Sequence, residues 1–178
     1  MSAIDLMLLG VLIQKPMNAY EIKKEMEYRD INQWIKISSP SIYKNLLKLC
    51  RLGYIDGKTM REGSMPEKTV YYINADGRKY FMKLMGHYSD DPGRIYVDFC
   101  AFIANLPYVD PQTGLQLLEK LRKNLGERQK KLEAETGRVA ELSFYGASIV
   151  GLYSQIYEVL DKWTENFSRQ YRERGGRD

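Results

Sequence analysis

The sequence predicts a mostly α-helical chain in two parts: a winged helix-turn-helix with a two-stranded β-wing over residues 1–88, then an all-α helical domain over 89–178. Three observations predict it. Three helical patterns and one hairpin pattern succeed one another within the first 85 residues. Two long heptad-like patterns fill the second half, and the turn-rich string SDDPG at 89–93 separates the halves. Charge divides at the same place. Residues 1–86 hold 14 Lys/Arg against 9 Asp/Glu, whereas residues 87–178 hold 13 against 14. The excess positive charge therefore lies entirely in the first half, which suits a polyanionic partner.

The first helix is read over residues 3–14 (AIDLMLLGVLIQ) and is closed by Pro16, because the residue before a proline resists helical geometry. It is apolar almost all round, so burial is expected against its own domain and, through Leu8 and Leu9, against a second chain. Asn18 opens the second helix, and Glu21 three residues on completes a capping box. Ile22 and Met26 form its inward face, and a longer connection with Trp34, Ile35 and Ile37 at its centre follows.

The third helix has Ser39 as its expected N-cap, Pro40 in the first helical position and Gly53 as its stop. Ile42, Leu46 and Leu49 make a core stripe. Ser41, Lys44, Asn45, Lys48 and Arg51 recur on another face that carries no acid. Residues 54–60 and 67–73 are rich in β-formers, and 68–73 alternate in character; REGSMP between them is a turn with Gly63 and Pro66. Lys58 and Arg61 make the first strand and tip basic, and Lys68 projects from the second strand. A fourth helix is expected from near Asn74 to about Gly86.

In the second half, Asp91 and Pro92 are expected to start a helix that carries Tyr96, Phe99, Ile103 and Leu106 on one face and ends at Pro107. Asp110 and Pro111 cap the next, whose apolar positions are Leu118, Leu121, Leu125, Leu132, Val139 and Leu142. The last helix places Ile149, Tyr153, Ile156, Leu160, Trp163 and Phe167 at spacings of four and three, a dimerisation stripe. Tyr96, Phe99, Tyr145, Tyr153, Tyr157 and Trp163 either fill that core and seam or line a pocket for an aromatic ligand, and the packing role is the simpler.

Cys50 and Cys100 sit among apolar residues and read as buried thiols of a reducing compartment. The N-terminus has no basic segment and no small-residue cleavage site, and no apolar run approaches about 18 residues, so a cytoplasmic protein with no membrane partner is expected. A single histidine (His87), no Cys/His cluster, no phosphate-cradling glycine loop and no paired carboxylates exclude most enzyme classes. No cofactor and no metal are expected.

A helix with short polar side chains, Lys and Arg fits the DNA major groove, and a basic hairpin beside it reaches the backbone. The strings LMLLGVLIQKPMNAYEIKKEME, ISSPSIYKNLLKLCRLGYID and EKTVYYINADGRKYF, in this order, resemble the PadR family of transcriptional regulators. The matching positions are Leu8, Leu9, Gly10, Pro16, Tyr20 and Glu21; Ser39, Ser41, Ile42, Tyr43, Leu46, Leu49, Gly53 and Ile55; and Lys68, Tyr71, Tyr72 and Gly77. Asn74 stands where the family usually has Thr, and Ala19 where it often has Gly. The resemblance implies a homodimer that represses transcription from a roughly palindromic double-stranded DNA operator and that in some members answers to a small aromatic or drug-like effector. Tyr20, Ser39, Ser41, Tyr43, Lys44, Asn45, Lys48, Lys58, Arg61 and Lys68 are the expected DNA-facing residues. Tyr43 reads equally well as a phosphate contact or a core aromatic, and Tyr20 as a packing residue that also touches phosphate. The alternative for the whole chain is a winged-helix protein–protein adaptor that binds no DNA.

Overall fold

The computed structural model describes residues 2–29, 31, 35, 37–61, 67–136 and 143–175. Packing divides the chain into two compact units, Met1–Arg94 and Ile95–Asp178. Trp34, the wing turn around Gly63 and Pro66, and Val139 and Leu142 lie outside the described residues. Among the described residues no helix is long and apolar enough to cross a membrane.

In the first unit, α1 (Ala3–Gln14) buries Leu8, Leu9, Val11 and Leu12 and ends where Lys15, ahead of Pro16, turns fully extended. Asn18 caps α2 (Ala19–Tyr28): its side-chain oxygen accepts from the amides of Tyr20 and Glu21 at 3.0 Å, and the Glu21 carboxylate accepts from the Asn18 amide at 2.8 Å. Both halves of the expected capping box are thus made. α3 (Ser39–Arg51) begins one residue earlier than expected. Ser38, not Ser39, is its N-cap, and Ser38 and Ser41 exchange side-chain-to-amide bonds of 3.3 and 2.8 Å. A serine at both positions left the sequence signal ambiguous by one residue. Gly53, at φ +73°, ends α3 in the left-handed turn that favours glycine.

The wing strands β2 (Ile55–Met60) and β3 (Lys68–Ile73) pair antiparallel from Ile55 opposite Ile73 to Met60 opposite Lys68. A third strand, β1 (Met17–Asn18), pairs with the other edge of β3, Met17 opposite Tyr71. The sheet order is β1-β3-β2, so the expected two-stranded wing is a three-stranded antiparallel sheet. Two residues are too short for any alternation to announce a strand. Asn74 then joins three elements. Its oxygen accepts from the Gly77 amide at 3.0 Å, capping α4 (Ala75–Asp90), while its amide donates to the Gly53 carbonyl at 3.0 Å.

The chain after α4 departs further from expectation. No helix starts at Asp91–Pro92. The Asp91 carboxylate accepts from the Gly93 amide, and Gly93 turns to φ +82°, a conformation a right-handed helix does not propagate. Helix is resumed only in the short α5 (Cys100–Ala104) and a single 3₁₀ turn at Leu106–Tyr108. The Asp110 side chain then accepts from the Thr113 amide at 2.9 Å at the start of α6 (Pro111–Thr136). α6 packs antiparallel on α7 (Phe144–Glu173): Gly114 abuts Tyr171, and Arg122 bonds Asp161 and Glu165 at 3.1 Å each. The buried cluster here is small: Leu106, Leu118 and Tyr171, with Phe102, Ile103, Leu115 and Phe167 packed against it. Cys100 is exposed rather than buried, because α5 presents it on its outer side; Cys50 is half-buried.

Gly77 marks the tightest approach in the first unit. A Cβ there would fall 2.0 Å from the Tyr54 carbonyl oxygen. Gly77→Ala is expected to lower stability by about 3 kcal/mol, measured by urea unfolding, since neither backbone can give way.

Candidate nucleic-acid interface

α3 turns Ile42, Leu46 and Leu49 into the core, all at 3% exposure or less. Its opposite side carries Pro40, Tyr43, Lys44, Leu47 and Arg51, all exposed. The expected polar face is therefore rotated slightly. Lys44 and Tyr43 stand clear of the surface, whereas Ser41, Asn45 and Lys48 are half-buried and already engaged. Ser39 is half-buried in the first turn. Ser41 serves the cap, and the Asn45 amide donates to the Ser41 carbonyl at 2.7 Å. Leu47, missed in the sequence reading, is 65% exposed between the two cationic positions. Its signal was available: it falls outside the 42–46–49 stripe.

Lys48 has the most constrained geometry of the set. Its Nζ lies 2.6 Å from both carboxylate oxygens of Asp5 in the first turn of α1. The Asp5 side chain is 3% exposed and that of Lys48 32%. This cation is neutralised by a buried partner and braces α3 against α1.

The wing adds a second group. One face of the hairpin carries Asp56, Lys58 and Met60 opposite Tyr72, Val70 and Lys68; the other turns Ile55 and Tyr71 into the core. Lys58 Nζ sits 5.4 Å above the Tyr72 ring, which orients it on the outer face. Arg61 is exposed at the end of β2, and Lys68 is half-buried at the start of β3. Tyr20 is 59% exposed on α2, with Lys24 Nζ 5.8 Å from its ring centre. On the inner side of α3, burial first and then the Asp56 carboxylate push the Cys50 thiol up from its ordinary range.

Of the expected dimerisation residues, Leu8 and Leu9 are at 0% exposure inside the first unit, which leaves neither any surface to offer a second chain. The apolar nature of α1 is spent on its own domain. On α7, Ile149, Tyr153, Ile156, Leu160 and Phe167 are half-buried, and Trp163 is 40% exposed, stacked on Phe167 at 5.2 Å and 5.9 Å from Phe99. Leu152 and Val159, exposed at 55% and 64%, extend this stripe beyond what α6 covers.

A short helical core with an exposed cationic third helix beside a β-hairpin defines a winged helix-turn-helix protein. Residues 8–83 match the Transcriptional regulator PadR-like family. No curated protein matches the chain. Among solved structures it is similar to Bacillus subtilis PadR in complex with operator DNA (TM-score 0.80, 18% identity, 96% of this chain and 98% of that one). It is also similar to the same protein in complex with p-coumaric acid (0.74, 13%, 97% and 98%). A third is the virulence activator AphA of Vibrio cholerae (0.69, 15%, 96% and 99%). At these identities the likeness is one of fold.

Two lysines one turn apart on α3 thus differ in role. Lys48→Met is expected to lower stability by about 3 kcal/mol, because it strands the buried Asp5 carboxylate. Lys44→Met should stay within about 0.5 kcal/mol of the parent. Chemical denaturation of the two variants side by side separates them.

Proposed function

We propose that the chain is a homodimeric, sequence-specific DNA-binding repressor of the cytoplasm. The observation that carries this reading is the exposed, acid-free face of α3, with Tyr43, Lys44 and Arg51, standing beside a wing that exposes Lys58 and Arg61. α3 enters the major groove, and the wing cations reach the flanking phosphates. Ser39, Ser41 and Asn45 shape the start of α3, while Tyr20 and Lys68 flank it. The family of residues 8–83 and the operator-bound B. subtilis PadR support the same reading. Two protomers place two recognition helices about 34 Å apart, one per half-site of a roughly palindromic operator. Occupying that operator is sufficient to block transcription.

The dimer is carried by the second unit. α7 keeps Leu152, Val159 and Trp163 at its uncovered edge, an apolar strip that water disfavours and a second copy would bury. A small aromatic effector is the ligand class proposed for this unit, on the aromatic row Phe99, Trp163, Phe167 and on the p-coumaric acid complex of B. subtilis PadR.

Three measurements test these statements. Binding to the DNA upstream of its own gene should fall with salt, and Lys44→Ala/Arg61→Ala should reduce the log–log slope by about 1.8; an unchanged slope would remove these residues from the interface, and a stable protein complex without any DNA shift would favour an adaptor. Leu152→Glu/Val159→Glu should convert a dimer to a monomer in sedimentation equilibrium. In a Trp34→Phe background, p-coumaric acid should quench Trp163 fluorescence and weaken DNA binding together; quenching without weakening would detach the ligand from regulation.

A further inference from the structure

We infer that Asp5 is a positioning residue for DNA recognition: it holds Lys48 away from the phosphates and sets how α3 meets the groove. The inference rests on the proposed DNA-binding role of α3. Lys48 follows Lys44 by one turn, so by spacing alone both would reach the same strand of phosphates. Asp5 prevents this. It lies on the neighbouring helix, 2% exposed, with both oxygens 2.6 Å from Lys48 Nζ. The Asp5 side chain is all but removed from solvent, so parting the pair would leave a buried carboxylate facing the Tyr80 and Tyr88 phenols in place of an ammonium. A phosphate contact at the wet rim of a DNA interface, screened by salt, returns less. Lys48 therefore stays with Asp5 when DNA arrives.

Two consequences follow from that attachment. The electrostatic footprint of α3 loses one cation and consists of Lys44 and Arg51. The orientation of α3 against α1 is also pinned. Apolar ridge packing of the kind made by Ile42, Leu46 and Leu49 leaves crossing angles scattered by about 15–20° from one helix pair to another. Reading base edges requires side chains placed to within about 0.5 Å. Two short bonds from α1 to the C-terminal half of α3 supply that constraint. Asp5, remote from the DNA-facing side, thus contributes to specificity through Lys48.

The test uses the full chain. A duplex is selected from a random-sequence pool with the wild-type protein, and Kd for this duplex and for a scrambled one is followed across a KCl series. Lys44→Gln should reduce the salt slope by about 0.9, the loss of one phosphate contact. Asp5→Asn/Lys48→Gln, which exchanges the ion pair for a neutral amide pair and so preserves folding, should leave the slope at the wild-type value. Asp5→Asn alone should raise the slope by about 0.9 as Lys48 is released. It should also cut the preference for the selected duplex roughly tenfold, the scale of one mismatched base pair. A double variant that loses slope as Lys44→Gln does, or an Asp5→Asn variant that changes neither quantity, overturns the inference alone. If the wild-type chain selects no duplex at all, the DNA-binding reading falls and this inference with it.

Discussion

Helix α1 presents apolar side chains to nearly every direction, and the first unit is assembled around it. Leu8, Leu9, Val11 and Leu12 are all but removed from water, and α3, α4 and β3 each take part of the surface they offer. Burying four such side chains contributes about 1.5–3 kcal/mol apiece, so α1 supplies a large share of what holds a small unit together. The one polar exception inside this surface, Asp5, has its full complement in Lys48. Hydrophobic attraction is non-directional; an ion pair at one point of the helix is not. The exposed cationic face of α3 takes its orientation from that combination.

Much of this was legible in the residues. The 42–46–49 stripe, the Asn18–Glu21 box, the Gly53 stop and the alternation in β3 are local signals, and each survives into the structure because no tertiary contact competes with it. What was not legible is of another kind. Asp5 and Lys48 are 43 residues apart, and nothing in either neighbourhood marks the pairing. Lys48 therefore counted as a free cation on a face it only partly shares. Leu8 and Leu9 carried a real signal for burial, but hydrophobicity does not say whether the covering surface belongs to the same chain. The helix expected from Asp91 failed for a local reason: Asp-Pro-Gly is equally a turn, and Gly93 in the left-handed region decided for the turn.

The second unit follows a different logic. Its own buried cluster is small, and its helices are held in register by polar contacts, Arg122 to Asp161 and Glu165, and by the close seat of Tyr171 on Gly114. An arrangement that fixes register with charge while leaving Leu152 and Val159 uncovered is specific about alignment and incomplete in burial. Such a unit is suited to associating with another copy, and the proposed dimer accounts for the surface it leaves open.

The sheet of the first unit offers little edge for growth. β3 lies between β1 and β2, and β1 is only two residues long. The longer edge, along β2, carries Asp56, Gly57 and Lys58, with Arg61 just past its end, none of which welcomes an added strand. Charges that would suit the proposed polyanionic partner also make the hairpin a poor template for self-pairing. Under the proposed DNA binding, neighbouring chains on one duplex would then meet through their helices rather than through their wings.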